Sequence, residues 1–385
     1  MKPITTPKML RSLAAGTAVL VTACSDSTAP PPQLSNPPQF SADLQTVAAV
    51  FQLPAFQSFG ALDSVPGSPL GSAPAGALLA AARVAAPQAP SPPFAEAPAR
   101  LRAMKLAVSA LSSVSTASVI PPEIRGKTFV WDSSTHQYGV GPDAGPPTGI
   151  RIILYAIDPI TRHVVENPLT AVGYLDLLDT SAGTTNQVDV IVTGGTPSSP
   201  GTTYVDYAIS ATVTGSPATA FSASAVGYVS DGTHRLDFQV TFSTTNLDTD
   251  NPDGQFDATW NLNNPAVGVT FHEAVTTSDA DHATLTVDFS VTRGDETVRL
   301  AGTVVVVRTP YSVTLDLAVY VNGQTFARYA GTATATSNNT QIRHADGSEL
   351  SAAELDAVYY LVALPAALEE AVTRLFHPAE SLMGA

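Results

Sequence analysis

The sequence predicts a mainly β protein: a large antiparallel meander, forming a curved sheet or half-barrel, packed against N- and C-terminal helices. Three observations carry that expectation. First, Ser312–Val321 alternates Val313, Leu315, Leu317, Val319 and Val321 with Ser312, Thr314, Asp316, Ala318 and Tyr320, the period-two pattern of a strand with one dry face. Second, Asn322-Gly323 follows at once, and this pair occupies the two φ > 0 positions of a type I′ hairpin turn more readily than almost any other. Third, similar runs succeed one another from Gly126 to Ser337 with turn-length connections and no long helical pattern between them. Parallel pairing would need crossover helices, so antiparallel pairing is expected throughout.

The chain of 385 residues is long enough for two or three ordinary domains, or for one large β unit with appendages. Only 13% of its residues are charged, roughly half the globular average of about 25%. Thr, Ser, Ala, Val, Gly and Pro fill the gap, as in extracytoplasmic β proteins wetted by hydroxyls. A net charge of −15 argues against a nucleic-acid partner, which needs clustered Lys and Arg. The single cysteine excludes an internal disulfide.

Taken in order, the chain opens with Lys2, Lys8 and Arg11, a short apolar run from Leu13 to Val21, and the small residues Thr22 and Ala23 before Cys24. This reads as a secretory signal over residues 1–23, too short to span a bilayer as a mature helix. Val21-Thr22-Ala23-Cys24 resembles the lipobox of bacterial lipoproteins. The resemblance covers residues 1–24 and implies cleavage before Cys24, acylation of its thiol and new amino terminus, and a membrane partner reached through those acyl chains. An Asp directly after the cysteine resembles the inner-membrane retention signal; here Ser25 occupies that place, which implies the outer membrane in a diderm host. Losing the three cations of the signal takes the mature chain from −15 to −18.

Residues 24–39, with Pro30-Pro31-Pro32 and Pro37-Pro38, read as an extended tether. Residues 40–118 are Ala- and Pro-rich, with helical patterns at Leu44–Phe51, Ala75–Ala86 and Ala99–Val114; in the last, Leu101, Met104, Val108, Leu111 and Val114 form a stripe. Residues 119–345 hold the sheet, on the order of a dozen strands. In residues 346–385, Ser351-Ala352-Ala353-Glu354 has the spacing of a capping box ahead of a stripe of Leu355, Val358, Tyr359 and Val362. Pro365 is expected to break or kink that helix, and Ala366–Phe376 to resume it. An open antiparallel sheet closed over helices on an exported, acylated chain resembles the half-barrel of the LolA and LolB type of lipoprotein carriers and lipid-binding lipoproteins. This likeness spans about residues 126–376 and rests on no shared motif.

The search for chemistry yields little. Asp248, Asp250, Asp253 and Asp257, with Gly254 among them, approach the acidic spacing of a calcium loop, although Pro252 sits where a ligand should. Asn251-Pro252-Asp253-Gly254 is also a type I turn signal, so a calcium site and a plain turn compete. His272, Asp279, Asp281 and His282 fall near one hairpin and are a further metal candidate, against ordinary surface polarity. Gly126-Lys127-Thr128 lacks the first glycine of a phosphate loop, and the carboxylate pairs Asp295-Glu296 and Glu369-Glu370 read as solvated charges. There is no catalytic constellation, and no enzyme is expected. Two roles stay open: a carrier or sensor of an apolar ligand, such as a lipid, held between sheet and helices, and a structural or adhesion module of the cell envelope with no ligand cavity.

Overall fold

Fifteen strands form one sheet in the computed structural model, which describes residues 32–49 and 119–365 except 159, 162 and 184. In chain order they are β1 (Lys127–Asp132), β2 (Gln137–Ala144), β3 (Gly149–Tyr155), β4 (Ala171–Asp179), β5 (Thr185–Thr196), β6 (Ser199–Thr214), β7 (Ala220–Ser230), β8 (Arg235–Thr245), β9 (Asp253–Asn263), β10 (Ala266–Thr277), β11 (His282–Arg293), β12 (Glu296–Arg308), β13 (Tyr311–Val321), β14 (Gln324–Thr334) and β15 (Gln341–His344). From β3 to β15 each strand pairs antiparallel with the next, through short turns except for the 156–170 connection between β3 and β4. The sheet is open, with β2 and β15 as its edges.

The start of the sheet corrects the all-antiparallel expectation. β1 pairs parallel with β3, in the register Lys127↔Ile150, Thr128↔Arg151 and Phe129↔Ile152. No crossover helix is needed, because the edge strand β2 leads the chain back before β3 enters on the other side of β1.

Alternation decides which side of each strand is dry. In β11, Leu285, Val287, Phe289 and Val291 are at most 1% exposed, while Thr284, Thr286, Asp288 and Ser290 between them lie on the other face. The same parity runs through Val298, Leu300 and Val304 of β12 and Val313, Leu315, Leu317, Val319 and Val321 of β13. Each large apolar side chain taken from water there stabilises the fold by about 1.5–3 kcal/mol. The β13–β14 turn has Asn322 at φ 50° and Gly323 at φ 81°, the type I′ geometry its sequence predicts. A register shift next to Tyr320 then makes Phe326 a bulged residue and turns it inward, to 2% exposure, beside the fully buried Ala327.

Fifteen strands exceed the number a twisted open sheet usually carries without curling. Interior glycines depart from ordinary strand geometry within it. Gly227 of β7 and Gly302 of β12 have φ of 157° and 151°, and a Cβ on them would lie 2.1 Å from the Asp206 carbonyl oxygen and 2.0 Å from that of Asp316. Only glycine permits such a kink inside a ladder. Both edges are blunted: β15 pairs with only Ala327–Ala330 of β14, and β2 carries Pro142 and an irregular register.

Two helices accompany the sheet. α1 (Pro37–Ala49) is capped by Asn36, whose side-chain oxygen accepts the Gln39 amide at 3.2 Å, and Pro37 opens the first turn, where no amide hydrogen is required. Phe40, Leu44 and Val47 recur at helical spacing and are buried. This corrects the tether reading for its described part: Leu34 is buried, and Pro37-Pro38 begin a helix instead of extending a spacer. Of the helical pattern expected at Leu44–Phe51, Leu44–Ala49 form the second half of α1, and 50–51 lie outside the described residues.

α2 covers 352–365, the end of the described residues. Ser351 and Glu354 form the expected capping box: the Ser351 amide and hydroxyl donate to Glu354 Oε2 at 2.9 and 2.7 Å, and the Glu354 amide donates to Ser351 Oγ at 3.4 Å. The buried stripe is Ala357, Val358, Leu361, Val362 and Leu364. Tyr359, expected inside, is 55% exposed. Helices and sheet share one contiguous apolar cluster, from Leu34, Phe40 and Leu44 through Leu315 and Leu317 to Val358 and Leu361. Among the described residues no helix is long and apolar enough to cross a membrane. The signal segment, Cys24 and the helical patterns at 75–86, 99–114 and 366–376 lie outside the described residues.

Candidate functional site

The dry face is the first candidate, because its few polar atoms interrupt a continuous apolar wall. Trp260 of β9 stands between Phe238 of β8 and Val269 of β10 and is 0% exposed, and its indole Nε1 has no hydrogen-bond partner. Thr244 Oγ1, in the same inward parity as Phe242, is likewise unpartnered. A buried donor left unpaired costs about 1–3 kcal/mol. Glu273 lies in the inward row of β10 with Phe271 and Val275, at 4% exposure and itself engaged. A wall of this kind can hold apolar groups and offers unpaired hydrogen-bond donors, among them the Trp260 indole and the Thr244 hydroxyl.

A second cluster joins α1 to the β11–β12 turn. Glu296 occupies the inward parity of β12, in phase with Val298 and Leu300, so its carboxylate is carried into the interior at 9% exposure. Ser35 satisfies it, donating from its amide to Oε1 at 2.8 Å and from its hydroxyl to Oε2 at 3.0 Å. The Arg293 guanidinium bridges Glu296 at 3.2 Å and Asp43 of α1 at 3.1 Å, and Asp43 also accepts from Gln39 at 2.7 Å. Two carboxylates therefore share one cation in a largely enclosed place: removing Arg293 leaves both without their cation, whereas removing either carboxylate leaves the other paired with it. The reading of Asp295-Glu296 as two solvated charges is corrected for Glu296. Its signal was in the sequence, since it shares the parity of an apolar row; Glu273 carries the same signal.

The opposite face is polar over β6–β14, whereas at β3–β4 it also buries Ile153 and Tyr174. Short hydroxyl side chains meet across strands, as in Ser210 with Ser224 at 2.8 Å, Thr270 with Ser290 at 2.7 Å and Thr314 with Thr332 at 3.1 Å. Arginines lie on carboxylates and tyrosines. Arg151 makes a two-point contact with Asp176, at 2.6 and 2.7 Å, under a cation–π contact with Tyr174; Arg299 does the same with Asp288 near Tyr320; Arg235 grips Asp237 over Tyr228. Those hydrogen bonds raise the three guanidinium pKa values against the effect of burial, so the arginines stay charged. His272 Nδ1 meets Asp257 at 2.7 Å in the same face. Such a surface is wet, regular and internally charge-paired.

The calcium candidates are not gathered. Asp248 and Asp250 sit in the exposed 246–252 connection, Asp253 accepts from Asn246 Nδ2 and the Thr277 amide, and Asp257 faces His272 and Gln255 from the wet face. The turn reading of this stretch is corrected as well: the positive φ belongs to Asn246, and Asp253-Gly254 already pair within β9. Asp279 caps its own hairpin by accepting from the Asp281 and His282 amides and contacting His282 Nδ1, away from His272. Among the described residues no three His, Cys, Asp or Glu side chains come together as a metal would require. Lys127 and Thr128 open β1 as strand residues.

Sequence and structure comparisons add no relative: no family profile matches the chain, and neither a curated protein nor a solved structure is significantly similar to it.

Proposed function

We propose that the chain is an exported lipoprotein, acylated at Cys24 and anchored in the outer membrane, whose body is a structural or adhesion module acting through the wet face of its sheet. The observation that carries the second part is the closure of the dry face by the chain itself: Leu315 and Leu317 are 3% and 0% exposed, in one apolar cluster with Val358 and Leu361 of α2. What the body offers to its surroundings is then a broad surface of hydroxyls and paired charges. The Val21-Thr22-Ala23-Cys24 lipobox supports the first part. No catalytic role is proposed.

Two measurements test this. Mass analysis of the N-terminal peptide is expected to find Cys24 at the amino terminus carrying acyl chains, and Cys24→Ser is expected to move the protein into the soluble fraction. Protease added to intact cells is expected to cleave the body; full protection, with cleavage only after permeabilisation, would rule out adhesion at the cell surface.

The unpaired Trp260 Nε1 favours a second reading, a carrier of an apolar ligand bearing one hydrogen-bond acceptor. Native mass spectrometry of protein freed of its acyl chains decides it. A co-purifying lipid, released by denaturation, would replace the structural reading with this one.

A further inference from the structure

We infer that α1 is a strap that yields to tension: it leaves the β11–β12 turn while the sheet stays folded, and docks again when the pull ends. Its use under load rests on the Cys24-anchored, adhesive reading above. The contacts that make it releasable do not. Among the described residues, the segment from Leu34 to Ala49 gives the sheet no backbone-to-backbone hydrogen bond. Its polar hold falls on two side chains at one turn: Ser35 donates to Glu296 at 2.8 and 3.0 Å, and Arg293 donates to Asp43 at 3.1 Å and to Ser35 at 3.2 Å. The strands beside it are joined differently, with β11 facing β12 through twelve consecutive register pairs. Elements held by few contacts open at lower free energy than the ladders they rest on.

Separation strands no buried charge. Arg293 and Glu296 stay 3.2 Å apart on the sheet's own turn, and Asp43 keeps the side-chain amide of Gln39, one helical turn back, at 2.7 Å. The Ser35 amide and hydroxyl pass to water. A charge left buried without a partner would oppose release strongly. Here each side keeps a partner and becomes solvated, so what holds α1 down is the Asp43–Arg293 contact and the burial of Leu34, Phe40, Leu44 and Val47. Position in the chain supplies the load. Ser35 precedes every strand, so a pull between an anchored Cys24 and the body reaches it before the sheet, whatever path the intervening residues take. The strap's contacts are then loaded in succession from Ser35 towards Val47, whereas the β11–β12 ladder has to fail along its length.

The test pulls single molecules of the mature chain between DNA handles, one coupled to the Cys24 thiol and one to an azide-bearing residue at position 278, in the exposed turn before β11. A small extension that reverses on relaxation is expected at a force below that of sheet rupture. Asp43→Ala removes the link to Arg293 but leaves Arg293 with Glu296, so it is expected to lower the force of the first event and leave the second where it was. At equilibrium the same variant is expected to raise amide exchange in α1 by about tenfold or more, as loss of a charge-assisted hydrogen bond requires, with β11 and β12 unchanged. A single event in which strap and sheet yield together, or a first event that Asp43→Ala does not move, would overturn the inference. Because the handle is attached chemically, either outcome is independent of acylation in the cell, whose failure would appear separately as an unmodified Cys24.

Discussion

The two faces of β11, β12 and β13 use the same backbone for opposite purposes. On the dry side Phe289, Leu300 and Leu317 have no exposed surface, and each is held by surrounding carbon. On the wet side Asp288 and Arg299 stack beside Tyr320, with side chains 40% and 48% exposed. The lesson is that a polar group means different things on the two sides. On the wet face pairing is commonplace and each pair is replaceable; on the dry face Glu273, Glu296 and the Trp260 indole are exceptions that had to be accommodated individually.

The sharpest way to break the comparison is to damage each face in turn. Leu317→Ala is expected to cost about 2–5 kcal/mol, through lost burial and a residual cavity, seen as a lower urea midpoint. Gly302→Ala, which leaves the dry rows intact but forces a Cβ against the Asp316 carbonyl, is expected to cost about 1–3 kcal/mol in the same assay. Glu296→Ala tests a dry-face polar group: it strands the Ser35 amide and half of the Arg293 contact, for about 1–3 kcal/mol, and is expected to open α1 to protease before the sheet unfolds. Arg299→Ala, on the wet side, is expected to cost less than about 1 kcal/mol despite its two short hydrogen bonds to Asp288. An Arg299→Ala loss as large as that of Leu317→Ala would end the distinction between the faces.

The smallest effect concerns pH. Burial pushes the Glu354 carboxyl up, but hydrogen bonds from Ser351 and the nearby His344 outweigh it and leave its pKa below the ordinary 4.5. A depressed carboxylate contributes stability that is complete above its unfolded value and is lost as pH falls through the folded one. Protection factors of the α2 amides, corrected for intrinsic exchange, are thus expected to be independent of pH near neutrality and to fall below about pH 4.5. Glu354→Gln is expected to flatten that acid limb.

What could be read in advance was whatever depends on neighbours in sequence. Alternation located the strands, Asn322-Gly323 fixed a hairpin, and Ser351 with Glu354 marked a helix start, because each is settled within a few residues. Misreadings came where distant partners decide. The β1–β3 pairing needs β2 to act as the crossover, which no local pattern announces. Pro37-Pro38 suits an extended spacer and a first helical turn equally well, and only the docking of Phe40 and Leu44 chooses between them. The α2 stripe was displaced because Tyr359 and Tyr360, apolar by composition, carry hydroxyls that favour the wet side. For the site, the clearest missed signal was Glu296, dismissed as part of a charged turn although it keeps step with Val298 and Leu300.

The covering role of α2 has a consequence for biogenesis. A meander of sequential hairpins can be laid down as the chain is delivered, N-terminal strands first, with each new strand finding its partner already in place. The cap cannot keep pace: Ala357, Val358 and Leu361 follow every strand of the sheet. Until they dock, the part of the apolar face that they share with Leu315 and Leu317 stays exposed. The hazardous interval in folding is therefore the one between β15 and the docking of α2, and a chaperone would find its purchase there.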